Sequence, residues 1–302
     1  MVQPIIGMVY DFDITLSPHY MQRPLFRAYG IEEQGFWAEK DALVGKQRSK
    51  GKLVQPDTAY LQLILDYAKP GKPLEGLTEA ALRELGAKIV LYPGIPEFFA
   101  KVSGLVAEDA VFSKYGVSIE HYVVSTGLAE MIRGSAIAPF MKHIEACEFF
   151  YDASGRPVGV SNAITHTQRT EALFKINKGS YHDPSIDVNA NMPEECRRIP
   201  LNQIIYIGDG PSDVPCMSVV KRSGGINIGV YNPSPENPRF ISDPPQNALA
   251  LHRAKRTDFI FQADYREGSD LFVVVSSLLR DMARDIVENA QKALGLIPPP
   301  MH

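Results

Sequence analysis

The run Ile5-Ile6-Gly7-Met8-Val9-Tyr10 leads directly into Asp11-Phe12-Asp13-Ile14-Thr15. It is short, rich in β-formers and closed by acids, the pattern of a parallel strand buried on both faces. Ligands in open α/β sheets bind beyond the carboxyl ends of the strands. The pentad therefore puts two carboxylates and a hydroxyl where a ligand would sit. Acids spaced i, i+2 at the start of a loop can point the same way once pleating ends. One can then attack while the other shuttles a proton.

The rest of the chain alternates helices and strands. Asp57 to Tyr67 has helical spacing with a capping Asp at its start. Thr78 opens a further helix that ends at Gly86. No convincing strand follows Thr15 until about Ile89, and Leu91-Tyr92-Pro93-Gly94 then turns into a helix carrying Phe98, Phe99 and Val102. Residues 17–91 thus read as a helical insertion. Tyr122-Val123-Val124 is a strong strand ending at Ser125-Thr126-Gly127. Phe149-Phe150-Tyr151 and Pro157 to Val160 flank Asp152-Ala153-Ser154-Gly155 as a β-hairpin. A helix runs from about Thr167 to Gly179, and 180–200 is a polar loop. Ile204 to Ile207, Ile226 to Val230 and Phe259 to Phe261 read as strands. The proline-rich segment 232–247 reads as loop. Leu271 to Leu294 carries a helical apolar stripe closed by Gly295 and a proline run. This alternation predicts an α/β fold with a doubly wound parallel sheet.

With 302 residues and 45% hydrophobic content, the chain can bury a sizeable core. Its net charge of −4 argues against a broad nucleic-acid surface. Cys147, Cys196 and Cys216 match no zinc or redox spacing. They fit a reduced, cytoplasmic setting. The N-terminus lacks the basic region of a signal peptide, and no apolar run is long enough to span a bilayer. No nucleic-acid or membrane partner is expected.

Chemistry-bearing residues now stand at four strand or helix ends: Asp11 with Asp13, Ser125, Arg169, and Asp209 with Asp213. In this order they resemble the haloacid dehalogenase superfamily. Asp11, Asp13 and Thr15 match its Asp-x-Asp-x-Thr motif. Ser125 matches the Ser/Thr that ends its second strand motif, with Thr126 and Gly127 beside it. Arg169 matches its basic residue on the first turn of a helix; Lys175 and Lys178 lie deeper in that helix. Gly208-Asp209-Gly210-Pro211-Ser212-Asp213 matches its Gly-Asp-x-x-x-Asp. The resemblance implies a Rossmann-like catalytic core at 1–16 and 92–302, with a C1-type helical cap at 17–91.

That resemblance also implies roles. Asp11 would attack phosphorus and form an aspartyl-phosphate. Asp13 would protonate the leaving oxygen and then deprotonate water. Mg²⁺, which favours oxygen ligands, would be bound by Asp11, the Asp13 carbonyl and Asp209, with Asp213 in support. Ser125, Thr126, Gly127 and Arg169 would hold phosphoryl oxygens. The implied activity is a phosphatase acting on a small phosphorylated metabolite. A phosphotransferase or phosphomutase would use the same site, and a non-catalytic binding protein would keep the fold but lose an acid.

Asp13 separates the chain from the dehalogenase branch, which lacks that acid. Ser212 stands where many phosphoserine phosphatases have Asn, and the segment after Thr15 lacks their substrate-binding Glu. His19 and Tyr20 are placed to line the entrance. The basic run Lys46, Arg48, Lys50 and Lys52 offers contact with a second anionic group, or else is a solvated face. Phe36 and Trp37 read as cap core, and His166 as a structural or exposed residue.

Overall fold

The computed structural model describes residues 3–232 and 244–296. Its elements are β1 (Ile5–Tyr10), α1 (Arg23–Ala28), α2 (Glu33–Arg48), α3 (Ala59–Tyr67), α4 (Glu79–Gly86), α5 (Glu97–Ala107), α6 (Ala110–Lys114), β2 (Ser118–Leu128), α7 (Ala129–Gly134), β3 (Met141–Tyr151), β4 (Pro157–Asn162), α8 (Gln168–Lys178), β5 (Ile204–Gly208), α9 (Val214–Arg222), β6 (Ile226–Tyr231), α10 (Pro244–Arg253), β7 (Phe259–Gln262) and α11 (Asp270–Ala293).

Among the described residues, seven strands form one sheet in the order β4-β3-β2-β1-β5-β6-β7. Every pairing is parallel except the β3–β4 hairpin. The expected doubly wound α/β architecture is what forms. β1 is central because its side chains alternate into two cores. Ile6, Met8 and Tyr10 join Phe98 and Phe99 of α5 and Val275 and Leu279 of α11. Val9 joins Ala172, Leu173 and Ile176 of α8 and Cys216 and Met217 of α9 on the opposite face. Each large apolar side chain so buried contributes about 1.5–3 kcal/mol. β1 has β2 on one side and β5 on the other, so the winding direction reverses there. A ligand crevice is expected at the carboxyl end of such a switch point.

Helices α1 to α4 fill the interval after β1. Phe36 and Trp37 of α2 pack with Phe26 and Tyr60 in an aromatic cluster, with Phe26–Phe36 centroids 4.6 Å apart and Trp37–Tyr60 centroids 6.0 Å apart. These residues belong to the same apolar cluster as one face of the sheet. α4 packs backbone against backbone on α7. A Cβ on Gly86 would lie 2.1 Å from the Met131 carbonyl oxygen, and one on Gly134 would lie 1.9 Å from that of Arg83. Only glycine permits that approach.

Several local expectations change. No ladder forms at Ile89 to Leu91; instead the Tyr92 N–H donates to Leu16 O at 3.0 Å, tying this segment to the loop after β1. Asp57 does not cap α3, which starts after Thr58 without a side-chain cap; Asp57 faces His166 Nε2 at 3.3 Å. β3 begins at Met141, ahead of the expected start. Its polar positions hid it: His143 is sheltered by the Tyr181 ring, 3.8 Å between centroids. Within the proline-rich stretch, 233–243 lie outside the described residues, but 244–247 open α10. Proline is compatible with a first helical turn, where its missing N–H costs nothing. The closing proline run after Gly295 also lies outside the described residues. No described helix is long and apolar enough to cross a membrane.

Candidate active site

Asp11 is the first residue beyond β1. Its N–H still donates to Ile207 O at 3.0 Å, which aligns it with the end of β5, where Asp209 follows. The loop then tightens: Phe12 O accepts from the N–H groups of Thr15, Leu16 and Ser17 at 3.3, 2.8 and 3.2 Å. Ile14 takes the left-handed conformation, φ 61°, at a cost of about 1–2 kcal/mol for a residue with a Cβ. Such strain is concentrated at ligand sites. Asp13 lies on the same loop, and its Oδ1 accepts from the Met21 N–H at 2.8 Å.

Arg169 lies on the first turn of α8. Leu173 and Ile176, four and seven residues on, anchor the same face of the helix against the sheet. The guanidinium is therefore aimed at the strand ends, and the residue is 2% exposed. Nη1 donates to Asp11 Oδ2 at 3.0 Å and Nη2 to Asp11 Oδ1 at 3.1 Å. Nη1 also donates to Asp213 Oδ1 at 2.6 Å. Burial opposes the charge on Arg169, but Asp11 and Asp213 outweigh it and raise its pKa.

Asp213 is fully buried. Besides Arg169, its Oδ1 accepts from the Tyr206 hydroxyl at 2.7 Å, and its Oδ2 accepts from the Gly210 N–H at 3.2 Å. A Cβ on Gly208 would lie 2.5 Å from this carboxylate, which explains the glycine of the Gly-Asp-x-x-x-Asp segment. Asp11, Asp209 and Asp213 each present a carboxylate oxygen within 4.8 Å of the others. Three close carboxylate oxygens suit a hard divalent cation such as Mg²⁺. Burial, partly offset by Arg169, pushes Asp11 up to about 7. Burial and the Asp213 and Asp11 charges raise Asp209, and burial and Asp11 raise Asp13.

Asp11, Asp13, Arg169 and Asp209 open onto a cavity of about 430 Å³, and Asp213 is buried behind them. Its floor includes Asp11, Asp13, Thr126, Gly127, Arg169 and Asp209; its walls include Tyr20, Gln22, Trp37, Lys40, Asp57, Tyr60 and His166. Helix α3 is tied to the end of β2 by the Tyr60 hydroxyl, which donates to Thr126 O at 2.6 Å. Ser125 is buried behind this wall, its Oγ accepting from the Gly127 N–H at 3.0 Å.

Of the entrance residues, Tyr20 lines the cavity and His19 does not. Lys46 and Arg48 are exposed and away from it. The reason is helical geometry. Trp37, Lys40 and Val44 share the inward face of α2, and Lys46 lies about 240° round the axis from Lys40. Lys40 was therefore detectable in the Phe36-Trp37-Val44 stripe. Asp57 and His166 had no such signal, because they meet only through the fold.

No family model matches the chain. An uncharacterized protein of Borreliella burgdorferi is 30% identical over 286 residues, covering 89% of this chain and 94% of that protein. A probable phosphoserine phosphatase from Vibrio cholerae superposes with a TM-score of 0.50 at 12% identity, over 94% of this chain and 66% of its own. A substrate-bound phosphoserine phosphatase gives 0.49 at 15% identity, over 87% of this chain and 95% of its own. The chain belongs to the same family as the Borreliella protein, and it shares its fold with the probable phosphoserine phosphatase of Vibrio cholerae.

Proposed function

We propose that this protein is a Mg²⁺-dependent phosphatase that hydrolyses a small phosphorylated metabolite through an aspartyl-phosphate on Asp11. The observation that carries this reading is the convergence of Asp11, Asp209 and Arg169, drawn from the ends of β1 and β5 and the start of α8, on one cavity, with the buried Asp213 bonded to Arg169 beneath them.

Asp11 Oδ would attack phosphorus while the ester P–O bond breaks, and Asp13 would give its proton to the departing alkoxide. Asp13, now a carboxylate, would take a proton from water as the water oxygen attacks phosphorus. The Asp11–phosphorus bond then breaks and inorganic phosphate leaves. Arg169 holds the Asp11 carboxylate in one orientation, and with the Thr126 and Gly127 segment it would meet the phosphoryl oxygens. Asp11, the Asp13 carbonyl and Asp209 would hold Mg²⁺, with Asp213 in support. The ion would supply positive charge against the repulsion between carboxylate and phosphate. The helices of 17–91 would act as a cap, with α2 and α3 excluding bulk water from the reacting atoms.

The test is turnover of a panel of phosphorylated metabolites and p-nitrophenyl phosphate with and without Mg²⁺. Phosphate release that EDTA abolishes and Mg²⁺ restores is expected, together with its loss in Asp209→Asn. Metal-independent turnover, or none with any ester, would overturn the reading.

A further inference from the structure

We propose that Gln22 and Lys40 form a specificity subsite for the leaving half of the substrate, which carries an anionic group and a free hydroxyl. This rests on the phosphatase reading of the same cavity.

Gln22 is 2% exposed and lines the cavity, yet its Oε1 has no hydrogen-bond partner. An unpaired buried amide oxygen costs about 1–3 kcal/mol, so its place at a ligand cavity calls for a donor from the ligand. Its position is set by the site itself. The Asp13 carboxylate accepts from the N–H of Met21, the preceding residue. Asp13 is the group assigned to the leaving oxygen. Gln22 therefore lies next in the chain to the residue that holds Asp13, and Gln22 and Asp13 both line the cavity into which the alcohol would depart.

Lys40 supplies the second contact. Among the described residues lining the cavity it is the only lysine. Arg169 is already committed to Asp11 and Asp213. The Lys40 side chain is 12% exposed, and its Nζ lies 2.5 Å from Asp41 Oδ1, on a side chain that is 56% exposed. An ion pair with a largely exposed partner has little net worth, so an anionic group of the ligand can compete with Asp41 for the ammonium. Tyr20 and Trp37, 5.2 Å apart between centroids, wall the same part of the cavity. The ammonium can thus meet a carboxylate or a second phosphate across a partly dry space.

Five esters test this with wild type and Mg²⁺. 3-Phosphoglycerate has a carboxylate and a hydroxyl, 2-phosphoglycolate only the carboxylate, glycerol 3-phosphate only hydroxyls, and p-nitrophenyl phosphate neither. Fructose 1,6-bisphosphate offers a second phosphate and hydroxyls. The highest kcat/KM is expected for 3-phosphoglycerate or the bisphosphate, and the faster of the two identifies the anion. Lys40→Met should lower kcat/KM for esters with a second anionic group about 10- to 100-fold, chiefly through KM, as loss of a bond to a charged group implies. It should leave glycerol 3-phosphate and p-nitrophenyl phosphate within about threefold. Gln22→Met should act about tenfold on the hydroxylated esters alone. Gln22→Glu keeps the shape and adds a negative charge, so it should penalise 3-phosphoglycerate more than glycerol 3-phosphate. Equal losses on all esters by folded variants, or a wild-type preference for p-nitrophenyl phosphate, would overturn the subsite and leave the phosphatase reading standing. Absence of any wild-type turnover would remove both.

Discussion

Arg169 grips both carboxylate oxygens of Asp11, through Nη1 at 3.0 Å and Nη2 at 3.1 Å, across 158 residues of sequence. The pair joins the end of β1 to the start of α8. The third bond of the same guanidinium, to Asp213, adds the segment after β5. One buried cation thus compensates two buried carboxylates and fixes their mutual geometry.

Arg169→Ala should leave Asp11 and Asp213 without their counter-charge, at a cost of about 3–5 kcal/mol. Arg169→Lys keeps the charge but not the paired bonds. It should retain most of the stability and lower kcat by about 10²-fold. Urea midpoints and steady-state kinetics separate the two effects. Equal stability of Arg169→Ala and wild type would contradict the pairing.

On the proposed mechanism, Asp11→Asn replaces the attacking carboxylate with a non-nucleophilic amide while preserving side-chain shape. Turnover should drop to about 10⁻⁴ of the wild-type rate or below, with circular dichroism unchanged. Trapping of ³²P on the wild type after acid quench, and none on the variant, is the second readout. Near-normal turnover of the variant would eliminate Asp11 as the nucleophile.

The contact between α4 and α7 permits a packing prediction. Gly134→Ala puts a methyl against the Arg83 carbonyl, which belongs to backbone rather than to a movable side chain. The helices must separate, at about 1–3 kcal/mol or more. Thermal melting should register the loss, and the exposed Gly45, with nothing within 4 Å of an added Cβ, is the control. Equal melting temperatures for Gly134→Ala and Gly45→Ala would show that the helices do not meet there.

His121 governs part of the acid response. It is buried between the Tyr10 hydroxyl on Nδ1 and Ser103 Oγ on Nε2, each at 3.0 Å. Burial lowers its pKa from 6.5 to about 4. A folded-state pKa below the unfolded value means that protonation favours unfolding. The stabilisation is complete above about pH 6.5 and is lost as pH falls toward 4, amounting to about 3 kcal/mol in all. His121→Gln should flatten the stability profile between those values, measured as the difference from wild type in urea midpoints. Parallel profiles would rule out His121 as the source.

The amino-acid sequence by itself determined the strands whose burial is two-sided and the chemistry set at their ends. β1 and β5 were legible because an unbroken apolar run followed by acids has few other readings. Arg169 was legible because Leu173 and Ile176 give its helix an inward face. The cavity wall was not. Lys40 faces inward while Lys46 and Arg48 face solvent because α2 is docked by Phe36 and Trp37, and the choice of docked face belongs to tertiary packing. Asp57 meets His166, and Gln22 is buried at the cavity that Asp13 lines, only because the chain folds back over the strand ends. β3 was hidden for a related reason: its polar residues are covered by a distant ring. Local pattern reports how a segment can bury its own apolar atoms. Which polar atoms are buried, and against what, depends on surfaces that distant segments bring together.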